Sequence, residues 1–467
     1  MKKRRYLFIF TALMIVLTLC AGCAQGGADA TEEVSEDVVT EEVSEEEASV
    51  EEAETEEAEA EEPAGEVTEL EIWSFVEGHL QFYEKMAGLW NEENPDRQIE
   101  LVPTHLDWSA MHDKLYTALL AGEGVPDLSD VEIGKWPNFM QGEIQFLDLT
   151  SYAEPYMDDL VTSRLGVYSK DGALYGAPSH IGATVMYYNT ELLESAGIDY
   201  TTIETWDDFE DALRTYREAT GNYMTYCETY GAYWFTVMLA EMGVDLIDEE
   251  GMPQLNTDEA LTVVNLIRKW VDEDLIGFIA TGNADTPEGQ AAVANGEVAA
   301  LAYPLWYMGR FTSYMENLSG KIAIAKLPVF DENSYKSVGL GGTGTVVYKD
   351  GEHADLAAEF ITFAKFSDLG STHLWTDLGF DTLNKNVWEN PEVTQDPDNI
   401  FLAYFQTNPF DVLAEIQDGI FAVKTMQNSG LINDYLSNTT WNRIYVNLDD
   451  PATVLEETQE ELMSQSN

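Results

Sequence analysis

A chain of 467 residues with 45% hydrophobic content is long enough for about two or three domain equivalents and a large buried core. It carries 86 acids against 23 bases, a formal net charge of −63, which excludes nucleic acid and an anionic membrane surface as electrostatic partners. From Asp29 to Glu69 there are 20 acids and no base, but the remainder is acidic too, as expected of a solvated surface.

The chain begins with a basic "MKKRR" and an apolar "YLFIFTALMIVLTL", too short for a comfortable membrane span and suited to a secretory signal. Cys20-Ala21-Gly22-Cys23 follows and resembles the bacterial lipobox, in which the cysteine after two small residues is acylated. Cys20 stands where that motif usually has Leu, Val or Ile. Taking Cys20 as the acceptor would leave bulky Leu19 at the cleavage position, so Cys23 is the expected lipidation site and residues 1–22 the signal peptide. Only Cys227 then remains, within "YMTYCETYGAYWF", as a packed thiol rather than a nucleophile.

Residues 23–66 read as a disordered acidic tether, because like charges and few apolar groups keep a chain extended. Its length allows a reach of about 130 Å at roughly 3.3 Å per residue. A charge-reading partner or loose Ca²⁺ binding is the other reading of this tract.

After Pro63-Ala64-Gly65 the pattern changes. "EVTELEIWSF" has strand character, "LQFYEKMAGLWNEENP" is helical with a stop at Asn94-Pro95, and "RQIELVPTH" closes a β-α-β unit. "WSAMHDKLYTALLAGEG" predicts a helix and "VPDLSDVEI" a third strand, which together imply a parallel, layered α/β lobe. Beyond "LYGAPSHIGATVMYYN" the chain is helix-rich, with Thr205 and Asp208 spaced as a capping-box variant. "KIAIAKLPVF" and "GTVVYKD" return to strand character before a helical "HADLAAEFITFAKF".

Chemical signatures are sparse. No two of the six histidines have the spacing of a zinc helix, no calcium loop is present, and neither a metal nor a cofactor is expected. Gly339-Leu340-Gly341-Gly342-Thr343-Gly344 has the glycine spacing of a dinucleotide loop, but strand-like "TVVYK" follows where a helix must open. It reads instead as a tight turn. Acids are too abundant for any carboxylate pair to argue for glycoside hydrolysis. The aromatics say more. Trp73, Trp108, Trp136, Tyr187, Trp234, Trp306 and Trp375 sit beside polar groups, and as a set they suit a carbohydrate cleft, where rings stack on sugar C–H faces.

"LYGAPSHIGATVMYYNTELLESAGID", "TWDDFEDAL", "GQAAVANGEVAALAYPLWYMGRF", "KIAIAKLPVF", "GGTGTVVYK" and "ADLAAEFITFAKF" occur in an order and spacing that resembles the family 1 extracellular solute-binding lipoproteins of bacterial carbohydrate ABC transporters. "VPDLSDVEIGKWPNF" and "LGFDTLNKNVW" are most similar to the lactose/arabinose-type oligosaccharide binders.

The resemblance implies an α/β, two-lobed, periplasmic-binding-protein-like clamp. Its lobes would be residues 67–178 plus 326–380 and a helix-rich 179–325 plus 381–467, with crossings near Ala177–Ile181, Ala325–Val329 and Gly379–Leu383. Carried over by position, the ligand contacts would be Trp73, Glu77, Glu132, Trp306, Gly341, Gly342, Trp375 and Asp381, with His180 where Tyr or Ser is common. The implied function is capture of a sugar or oligosaccharide for delivery to membrane permease subunits, by a monomer held on the outer face of the cell membrane and performing no chemistry. A surface sugar sensor and a glycan-degrading enzyme are the alternatives.

Overall fold

The computed structural model describes residues 67–466; the signal segment, Cys23 and the acidic tract lie outside the described residues. Strand β1 (Thr68–Ser74) buries Leu70 and Ile72 completely, and the helix Glu77–Glu93 that follows buries Phe82, Tyr83, Met86 and Trp90 against it. Strand β2 (Ile99–His105) then pairs in parallel with β1. The next helix, Trp108–Ala121, is started by Asp107, whose carboxylate accepts from the Ser109 and Ala110 amides, and stopped by Gly122 at φ +69°. Strand β3 (Leu128–Glu132) is again parallel to β1.

The remaining strands form smaller units. A hairpin pairs β4 (Ser169–Lys170) with β5 (Ala173–Leu174), and β6 (Ala177–Pro178) lies at one edge of the first sheet. Strand β7 (Thr184–Asn189) runs antiparallel to both β8 (Ala300–Pro304) and β9 (Ile322–Ala325), forming a second sheet. Strand β10 (Ser337–Gly339) pairs with the late strand β12 (Ile420–Ala422). Between them β11 (Thr343–Val347) completes the first sheet, in the order β2-β1-β3-β11-β6.

The first sheet is therefore mixed rather than parallel. β11 pairs antiparallel with β3, Thr343 lying opposite Glu132. The cause is where the chain enters: it arrives from the second sheet at the end where β3 stops, so its first strand must run the other way.

All six residues of β7 are buried, because the second sheet is covered on both faces. Met186 and Tyr188 point into a core built by the helices Trp206–Thr220, Tyr233–Glu241, Asp258–Asp272 and Pro451–Gln465. Val185 and Tyr187 point into another, built by Met308–Tyr314, Ile400–Tyr404 and Pro409–Ile416. Thr205 and Asp208 form the expected capping box, each side chain accepting from the other's backbone amide. Cys227 is buried in the first of these cores.

A third core lies under the first sheet, so the chain forms two lobes, each around its own sheet. Residues 326–340, assigned from sequence to the first lobe, pack instead with the second sheet. Leu327, Val338 and Leu340 join the core around Met186, and Thr184 Oγ1 donates to the Val338 carbonyl at 2.6 Å. Their apolar side chains find cover there, and the crossing falls at residues 340–343.

Candidate functional site

Two cavities of about 800 Å³ and 650 Å³ lie between residues of the two lobes and share Trp108, Glu132, Tyr233 and Gly341. A third, of about 450 Å³, continues from the second through Pro137, Val423, Lys424, Thr425 and Gln427. The result is a long groove whose first-lobe wall is made by residues just after the carboxyl ends of β1, β2 and β3. That is where open α/β sheets place ligands.

Trp108 begins the helix after β2 and is 40% exposed, unusual for a tryptophan, with the Lys135 ammonium 4.4 Å from its ring centre. Its carbonyl is tied to His112 Nδ1 at 2.7 Å, and His112 Nε2 accepts from the Glu132 amide at 3.0 Å. Nε2 as acceptor makes Nδ1 the proton carrier. Burial pushes this imidazole down to about 4, which keeps it neutral. Glu132 turns its carboxylate back to the Gly134 amide at 2.8 Å, and burial raises it to about 7.

On the other wall Trp306 is half-buried, donates from Nε1 to the Leu340 carbonyl at 3.2 Å, and has the Arg310 guanidinium 5.7 Å from its ring centre. Tyr233, also lining both larger cavities, stands edge-on to it at 6.4 Å. Gly341 and Gly342 take φ +67° and +129°. A Cβ on Gly341 would lie 2.9 Å from Trp306 Nε1, and one on Gly342 would collide with Arg164 Nη2. Only glycine lets the crossing strand pass so close.

The lobe crossings are bound to one another. Ser179 donates its amide to Thr343, Leu340 to Gly182, and Ile181 to Asp381. Asp381 Oδ2 accepts from the Ala183 amide at 2.7 Å, and burial pushes its carboxyl up to about 7. Arg164 spans two crossings, donating to the carbonyls of His180 and Gly341.

Beneath the 800 Å³ cavity lies a buried network around Asp130. Its Oδ1 accepts from Tyr83 and Thr345, each at 2.7 Å, and its Oδ2 from Ser74 at 2.7 Å and His79 Nδ1 at 2.9 Å. Burial alone would raise this carboxyl, but the bonds from His79 and Ser74 and the positive charge of nearby Lys365 outweigh it and hold Asp130 well below the usual carboxylate range.

Of the residues expected from sequence, the structure thus brings Glu132, Trp306, Gly341 and Gly342 together on the groove. The others lie elsewhere. Trp73 is covered in the first core, its Nε1 donating to Glu71 at 2.7 Å and its face taken by Lys114 at 3.6 Å. Trp375 is buried against Phe410 at 4.5 Å, because the helix Asp368–Leu378 turns Leu374 to one core and Trp375 to the other. Glu77 faces solvent beside His105, and Asp381 belongs to the crossings.

Sequence reasoning gave no role to Tyr233, Lys135, His79 or Arg310. Lys135 had a detectable signal, since it lies just beyond a strand that reads parallel. Among the described residues no cluster of three metal-ligating side chains forms, and no helix is long and apolar enough to cross a membrane.

Residues 76–368 match the family described as bacterial extracellular solute-binding protein. The chain is 39% identical to an arabinooligosaccharide-binding protein of Halalkalibacterium halodurans, over 81% of this chain and 84% of the relative. It is 38% identical to an arabinooligosaccharide-binding protein of Bacillus subtilis, over 80% and 86%. In fold it is similar to the ABC transporter associated binding protein of B. animalis subsp. lactis in complex with β-1,6-galactobiose, with a TM-score of 0.68 at 20% identity, covering 86% of this chain and 98% of that one.

Proposed function

We propose that this chain, which belongs to the family of bacterial extracellular solute-binding proteins, serves as the substrate-binding component of an ABC transporter and binds an oligosaccharide in the groove between its lobes, by stacking and hydrogen bonding. The observation that carries this is the pairing of the exposed Trp108, beside Lys135, with Tyr233 and Trp306 on the facing wall, the latter beside Arg310. Flat aromatic faces suit the C–H faces of sugars, and the polar rim suits their hydroxyls. The groove's length favours several sugar units. The names of the two curated relatives make arabinooligosaccharides the first class to test.

Closure would proceed about the three bound crossings, with Gly341 and Gly342 in the moving wall and Asp381 tying its neighbour. The lobes are then residues 67–178 with 343–380, and 179–340 with 381–466. The protein holds and releases its ligand unchanged, as a monomer. The lipobox-like sequence supports acylation at Cys23 and a place on the outer face of the membrane.

Calorimetric titration with arabinotriose, maltotriose and lactose tests the reading. A saturable site for arabinotriose is expected; silence across the panel overturns it. Mass measurement of the mature N-terminus tests acylation: an unmodified Cys23 rejects it.

A further inference from the structure

One polar atom on the groove has no hydrogen-bond partner among the described residues. His79 is only 5% exposed, yet it lines the 800 Å³ cavity. Its Nδ1 meets Asp130 Oδ2 at 2.9 Å. An ionised carboxylate only accepts, so Nδ1 must carry a proton. The opposite nitrogen, Nε2, has no hydrogen-bond partner among the described residues and is not among their fully covered polar atoms. The cavity is the space that reaches it.

The surroundings make this more than a satisfied core histidine. Asp130 already accepts from Ser74, Tyr83 and Thr345, which is enough to knit β1, the helix Glu77–Glu93 and β11 together. The fourth bond adds an imidazole at the cavity wall with Nδ1 as the donor to Asp130. Phe75 and Phe380, both on the same cavity, flank its ring at 6.3 Å and 5.7 Å, so Nε2 lies beside two aromatic rings. The Lys85–Asp377 pair, 2.8 Å apart on the same cavity, is already satisfied.

We infer that His79, oriented by Asp130, is a ligand-binding residue whose Nε2 accepts a hydrogen bond from a hydroxyl of a neutral sugar unit lodged between Phe75 and Phe380. Asp130 is then a positioning residue. The ligand must offer a donor at this point. A sugar bearing a methyl ether there would leave Nε2 buried and unpaired, which binding sites reject strongly.

The inference rests on the carbohydrate reading of the groove, and the test separates the two. In the full-length chain with ¹⁵N-labelled histidine, His79 is expected to show an unprotonated Nε2 that shifts on saturation with arabinotriose. His79→Phe keeps the ring volume and is expected to bind arabinotriose about tenfold more weakly. His79→Gln, which restores an acceptor, is expected to recover most of the loss. An Nε2 that is protonated, or that does not move on saturation, overturns the inference. So does a His79→Phe protein that binds like wild type. A wild-type protein that binds none of the sugars overturns the functional reading as well. The resonance is read in the wild-type protein, so the test holds even if a variant fails to fold.

Discussion

The backbone amide of Glu132 donates to His112 Nε2 at 3.0 Å, and through that ring the end of β3 is tied to the start of the Trp108 helix. The bond needs a neutral imidazole, and burial holds His112 at about 4 against its ordinary 6.5. Between those values the unfolded chain takes up a proton that the folded chain refuses, so stability is lost as pH falls. His112→Gln keeps an acceptor without titrating. The wild-type advantage over it is expected to shrink by up to about 3 kcal/mol from pH 7 to pH 4 in urea unfolding. A pH-independent difference would count against this.

The tryptophans divide into two classes. Trp108→Ala and Trp306→Ala are expected to weaken sugar binding roughly tenfold, about 1–2 kcal/mol. Trp73→Ala and Trp375→Ala open holes in packed cores and are expected to cost about 3–5 kcal/mol of stability. Calorimetry and thermal unfolding on the four proteins read this directly. A Trp73 variant that melts like wild type but binds poorly would reverse its assignment.

Gly341 is expected to tolerate nothing larger. Alanine there must hold φ near +67° and push against Trp306 Nε1. A backbone cost of about 1–2 kcal/mol is expected, with a loss of affinity because the displaced ring is a groove wall. Unchanged binding would show that Trp306 can move freely.

Glu132 gives the opposite pH sign to His112. Its carboxyl is raised by burial from 4.5 to about 7, so its stabilising contribution is fully present below pH 4.5 and lost as pH rises through 7. Glu132→Gln is neutral at every pH and can still accept from Gly134. It is expected to be more stable than wild type at pH 8 and nearly equal at pH 4. Equal stability at both would place Glu132 in a more solvated setting.

Parts of the groove were legible in advance because they depend on short-range chemistry. The Gly341–Gly342 turn announces positive φ by its composition, and Trp306 and Glu132 follow strand-like runs in recognisable contexts. Trp73 looked equally favourable, lying at the end of β1. The same alternation that marks a strand cannot tell which face a neighbouring helix will cover. Here Lys114, from the helix after β2, lies over that indole. His79 and Asp130 are 51 residues apart, and no local pattern joins them.

By itself the sequence determined the alternation of strands and helices, the capping box at Thr205, the glycine turn and the family, because each rests on neighbouring residues or on ordered motifs. Tertiary structure alone decided the antiparallel entry of β11, the packing of residues 326–340 with the second lobe, and which tryptophans remain open to the groove. Those outcomes depend on which surfaces far apart in the chain bury one another, and burial is a property of the assembled lobes.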